Sequence, residues 1–93
     1  ALPISPVVTV TLGKSRILPG ETVDVRIVGT DDDGIRETSI IVDGQLIRTC
    51  QSSACDAILG PWQTTRTVEV VGRARDIVGA VSSATSTPLT IQL

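Results

Sequence analysis

Hydrophobic and polar residues alternate with period two over most of this chain. Val8, Val10 and Leu12 fall on one side of an extended segment, with Thr9 and Thr11 on the other. Val23, Val25 and Ile27 alternate with Asp24 and Arg26, and Ile40 and Val42 share a parity with Thr38. Val68, Val70, Gly72 and Ala74 alternate with Glu69, Val71 and Arg73, and Leu89 and Ile91 alternate with Thr90 and Gln92. Successive side chains of a strand point to opposite faces, so each pattern predicts a strand with one buried and one wetted face. The β-branched Val, Ile and Thr that dominate these runs suit a pleated strand better than a helix.

Turn chemistry separates the runs: Gly13, Pro19-Gly20, Asp33-Gly34, Asp43-Gly44, Gly60-Pro61 and Gly79. The predicted strands are 6–12, 14–18, 22–29, 36–43, 45–50, 55–59, 66–76 and 80–92. No window combines helical spacing with caps, so no helix is predicted. Asp43-Gly44 between Ile-Ile-Val and Gln-Leu-Ile predicts a two-residue hairpin, because Asp and Gly tolerate the positive φ that a type I′ turn requires. Seven or eight short antiparallel strands at this spacing imply an all-β sandwich. Its expected core includes Ile40, Val42, Val68, Val70 and Ala74.

Composition narrows the function. The 93 residues suit one domain, and 41% apolar residues supply a core. The net charge of −2 comes from interspersed charges, with no basic stripe for nucleic acid and no cationic amphipathic segment for a membrane surface. No apolar run approaches the roughly 20 residues that span a bilayer, and residues 1–6 lack the features of a signal peptide, so any export signal is expected elsewhere in a parent chain. The chain has no His, so it offers neither an imidazole base nor an imidazole metal ligand, and no Asn, so it offers no N-glycosylation acceptor. Lys14 beside Ser15 on one strand would point to the opposite face, and no phosphate-binding glycine loop precedes a helix. The expectation is a protein that is not an enzyme.

Four groups of residues carry what site chemistry there is. Cys50 and Cys55, with four residues between them, predict a disulfide rather than a Cys-x-x-Cys site, and hence an oxidising compartment. Asp31, Asp33 and Asp76, with Asp32, would offer hard oxygen ligands to Ca²⁺ if their loops met, although the spacing is not that of an EF-hand. The more ordinary reading is that these carboxylates cap their own turns. Trp62, the single aromatic, is expected to fill the core among small aliphatics rather than to stack on a sugar, for which more than one flat ring is usual. Arg66, Arg73 and Arg75 read as solvated edge charges that discourage strand-to-strand aggregation.

Two segments share one frame, Gly29-Thr30-Asp31-Asp32-Asp33-Gly34 and Ala74-Arg75-Asp76-Ile77-Val78-Gly79, with Ser39-Ile40-Ile41-Val42-Asp43-Gly44 between them. This order resembles the bacterial immunoglobulin-like domains of surface and secreted proteins. The resemblance covers residues 7–93, leaving 1–6 as a lead-in. It implies an immunoglobulin-like Greek-key β-sandwich, with the 29–35, 50–55 and 76–80 loops at one pole. It implies an extracellular, cell-surface or periplasmic location, and a structural or spacer module whose partners are neighbouring domains of the same parent chain. Two further expectations stand beside it. One is an adhesion or ligand-binding module that uses the acidic pole, with or without calcium, to hold a protein or glycan. The other is an accessory domain of a secreted hydrolase. Neither nucleic acid nor membrane insertion is expected.

Overall fold

The computed structural model describes residues 7–31, 34–76 and 82–92. All regular structure among them is strand: β1 (Val7–Leu12), β2 (Arg16–Ile17), β3 (Val23–Thr30), β4 (Ile35–Val42), β5 (Gln45–Cys50), β6 (Ala54–Leu59), β7 (Arg66–Asp76) and β8 (Ser82–Ile91). They form a three-stranded sheet, β1-β3-β6, and a five-stranded sheet, β2-β8-β7-β4-β5. This is the β-sandwich that the alternation predicted, of the immunoglobulin-like class that the resemblance implied. Two details differ from the expectation. The second strand is shorter than 14–18, and it runs parallel to β8 (Arg16 opposite Thr90), whereas the other pairings are antiparallel.

The inner faces of the two sheets supply one core. Val8, Val25, Ile27, Cys55 and Leu59 come from the three-stranded sheet, and Ile17, Ile40, Val42, Val68, Val70, Ala74, Leu89 and Ile91 from the other. Burying each branched side chain contributes about 1.5–3 kcal/mol. The sheets approach closely at two glycines: a Cβ at Gly72 would lie 2.8 Å from Ile27 Cδ1 and 2.9 Å from Val10 Cγ2, and one at Gly29 would lie 2.8 Å from Ala74 Cβ. The step from Val68 and Val70 to Gly72 and Ala74 therefore thins the core toward one end.

Strand β4 departs from simple alternation. Thr38, Ile40 and Val42 face the core, but Ser39 and Ile41 are buried as well. The strand lies between β5 and β7, and its outward residues are screened by cross-strand neighbours. Ile41 sits opposite both Val71 and Leu46, and the Ser39 and Thr49 hydroxyls are 3.3 Å apart.

Register assigns the poles. Val7 lies opposite Thr30 and Ile35 opposite Asp76, so β1 begins and β7 ends at one pole. Val23 lies opposite Leu59 and Arg66 opposite Ile91, so β3 begins and β8 ends at the other.

Candidate functional site

The disulfide joins Cys50, which ends β5, to Cys55 in β6, with the Cα atoms 5.5 Å apart. The two strands belong to different sheets. A bond that is short in sequence thus staples the sandwich at the point where the chain crosses from one sheet to the other. Cys50 lies opposite the buried Thr38 and Cys55 opposite the buried Ile27, so both sulfurs face the interior. The crossover is tied further by Gly29 N–H donating to the Ser53 carbonyl at 2.8 Å and by the Thr38 hydroxyl donating to the Ser52 carbonyl at 3.0 Å.

These bonds bring the 50–55 crossover to the pole that holds Asp31 and Asp76. Asp76 is buried, opposite Ile35 at the end of β7, and Asp31 is half-buried, its carbonyl accepting the Gly34 N–H at 3.0 Å. Asp33, the third carboxylate of the calcium expectation, lies outside the described residues, as do Asp32 and residues 77–81. Among the described residues, no group of three or more His, Cys, Asp or Glu side chains is placed to hold a metal ion.

Trp62 sits at the opposite pole, in the link between β6 and β7. It is half-buried and packs against the edge of the core, while its carbonyl accepts the Gly20 N–H at 2.8 Å. It closes the end of the sandwich where β3 begins and leaves part of its ring in solvent.

The arginines of β7 are not edge charges, because β7 lies between β8 and β4 in the middle of its sheet. Arg73 is exposed on the wetted face. Arg75 lies 4.0 Å from Glu37, and Arg66 donates to the Asp43 carboxylate at 2.8 Å. The sandwich has free strand edges elsewhere, and one of them is guarded by an arginine. Arg48 of β5 donates to the Asp56 carbonyl on the open side of β6 at 3.1 Å.

A surface that the sequence did not reveal lies beside that contact. On the outward face of the three-stranded sheet, Thr11, Arg26 and Asp56 form one row, and Asp24 and Ile58 form part of the next. With Gly13 and Arg48 they line a shallow groove of about 730 Å³. Its charges balance, Arg26 and Arg48 against Asp24 and Asp56, and Ile58 supplies an exposed apolar patch. Arg26 and Asp56 are 4.0 Å apart with both side chains mostly solvated, a pairing worth little to stability. Each residue was legible as an outward strand position, but their convergence depends on β3 pairing with β6 across about 30 residues of chain.

No family model matches the chain, and no curated protein matches it. Among solved structures, the chain is similar to a fibronectin(III)-like module of Clostridium thermocellum CbhA, with 21% sequence identity and a TM-score of 0.72. The match covers 92% of this chain and 97% of that one. At this identity the likeness shows the fold, and it agrees with the two-sheet topology described above.

Proposed function

We propose that this domain is a non-catalytic spacer module of a multidomain bacterial protein, of the bacterial immunoglobulin-like kind, working outside the cytoplasm. The observation that carries the reading is the placement of the ends. Strand β1 enters at the pole marked by Thr30, and β8 leaves at the pole marked by Arg66. Neighbouring domains attached at the two ends would be held apart by the full length of the sandwich. The Cys50–Cys55 bond supports an oxidising location. The likeness to a domain described as a module supports the modular role.

The inner faces of both sheets are filled by aliphatic side chains, which leaves outward faces and loops for any recognition. The groove around Arg26, Asp56 and Ile58 supports a second role in attachment, beside the acidic pole expected from sequence.

The test is a distance measurement between labels at Val7 and Gln92, attached by a chemistry that spares the cysteines. Strand β8 has ten residues, and at roughly 3.3 Å per residue the two labels should lie about 30 Å apart or more. A short distance, with both ends at one pole, removes the spacer reading.

A further inference from the structure

We propose that the open edge of β6 accepts an extended peptide segment as an added strand, one that carries a carboxylate next to an aliphatic residue. The proposal names the partner of the groove and rests on its attachment role. Strand β6 is an outer strand of the three-stranded sheet, so one of its edges has no neighbour. The Arg48 contact identifies the groups on that edge. It reaches the Asp56 carbonyl from β5, so that carbonyl points away from β3. Backbone groups alternate along a strand, so Ala54 and Ile58 turn theirs the same way, while Cys55 and Ala57 bond to β3. The other side of β3 agrees: the Asp24 carbonyl accepts the Gly13 N–H at 2.9 Å, which leaves Ile58, opposite Asp24, unbonded to β3.

This edge is closed at one end and open at the other. The Ser52 hydroxyl accepts the Ala54 N–H at 3.3 Å, and Arg48 occupies the Asp56 carbonyl at 3.1 Å. Among the described residues, the Asp56 amide and both backbone groups of Ile58 have no such partner. The Ile58 side chain, 68% exposed, lies on the outward face and lines the groove. Strand addition uses this combination, with main-chain bonds giving affinity and alternate side chains giving selectivity. The edge is also held in place. Cys50 and Arg48 have the same parity on β5, opposite Thr38 and Ile40. One carries its sulfur across the seam to Cys55, and the other its guanidinium to Asp56. The disulfide thus fixes β5 beside β6 two residues from Arg48, and binding has little of the edge left to order.

The side chains along the edge define the partner. In an antiparallel addition, one peptide residue exchanges both backbone bonds with Ile58, and the residue two further on exchanges them with Asp56. The first lies on the outward face against the Ile58 side chain and is best aliphatic. The second takes the Asp56 carbonyl and displaces Arg48 from it. The residue between them points to the opposite face, into the seam that Arg48 enters. A carboxylate there receives the released guanidinium, and a charged acceptor holds it more strongly than the neutral carbonyl it leaves. The partner is therefore an extended segment reading aliphatic, acidic, polar. A second copy of this chain fits less well. The register that pairs all three open residues, Ala54, Asp56 and Ile58, sets two Asp56 carboxylates opposite each other.

The test titrates the isotope-labelled whole chain with the peptide acetyl-Ser-Ile-Glu-Thr-Ser-amide and follows backbone amides by NMR. Binding should saturate, with the Asp56 and Ile58 amides shifting most. The Ile58 amide should exchange with solvent about tenfold more slowly at saturation, because it gains a bond that the free chain does not give it. A methyl group on the amide nitrogen of the peptide's isoleucine removes the donor to the Ile58 carbonyl and keeps every side chain. That peptide should bind about tenfold more weakly or worse. A peptide with glutamine in place of the glutamate should also bind about tenfold more weakly to the wild type. On Arg48→Ala the glutamate and glutamine peptides should bind alike, since the group that tells them apart is gone.

Equal binding of the methylated peptide means that the groove holds side chains only, which refutes strand addition and keeps the attachment role. Equal binding of the glutamine peptide to the wild type overturns the acidic partner. If the Asp56 and Ile58 amides shift as the concentration of the chain alone is raised, the occupant is a second copy and the proposal is overturned. If no peptide moves any amide lining the groove, strand addition and the attachment role fall together, while the label distance between Val7 and Gln92 still decides the spacer.

Discussion

The carboxylate of Asp43 accepts the backbone amide of Glu69 at 2.9 Å, in the place where a strand residue would offer its own carbonyl. Val42 is the last residue of β4 in register with β7, opposite Val70. The next rung is half regular, with Asp43 N–H donating to the Glu69 carbonyl at 2.9 Å. Asp43 has a φ of 50° as it enters the turn with Gly44, which directs its carbonyl away from the ladder. Its side chain completes the rung, and its other oxygen takes the Arg66 guanidinium. One residue thus ends β4, opens the β4–β5 hairpin and anchors the hairpin to β7.

Asp43→Ala should therefore destabilise the domain by about 2 kcal/mol, combining the lost charged acceptor with an alanine at positive φ. Asp43→Asn keeps an acceptor and suits the turn, and should cost only about 0.5 kcal/mol, since the exposed pair with Arg66 adds little. Urea unfolding followed by circular dichroism checks both, and equal losses would show that the charge, not the acceptor, matters.

The unreduced protein should show no free thiol, because the chain's two cysteines are bonded to each other. Replacing both by alanine removes a small ring closure worth about 2 kcal/mol on the chain-entropy account. The loss should be read as a lower urea midpoint, equal to that of wild type under reductant. A variant as stable as the oxidised protein would mean that the crossover is held by the Ser52 and Ser53 carbonyl bonds alone.

Gly72→Ala adds one methyl group against Ile27 and Val10, at a close approach of the two sheets. Overpacking of this kind costs about 1–3 kcal/mol, although alanine is otherwise the better strand residue. Thermal unfolding should show a fall in midpoint. A rise would mean that the two sheets separate without resistance at this level.

Trp62→Ala should cost about 2–3 kcal/mol, below the range for a wholly buried aromatic, because part of the ring is already in solvent. In the native protein, tryptophan emission should lie between the buried and exposed extremes and be partly quenched by a neutral quencher. Complete protection from quenching would place the ring deeper than the structure does.

What the sequence determined by itself is local. Period-two alternation is a steric property of extended chain, so it placed the strands to within about two residues along most of the chain. Asp43-Gly44 specified its turn for a similar reason, since the required φ is a property of those two residues. Alternation likewise pointed to Ile40, Val42, Val68, Val70 and Ala74 as inward residues, and all five are buried. Which strands become neighbours was decided only in three dimensions. Every strand has two edges and an alternating pattern, and nothing in the pattern of β7 says that it lies mid-sheet with its arginines flanked rather than at a rim. The same holds for Cys50 and Cys55 lying in different sheets, for Asp43 reaching Glu69 across 26 positions, and for Arg26 meeting Asp56 beside Ile58. Each depends on pairings between distant segments, and those pairings are selected by how two whole sheets bury their inner faces against each other.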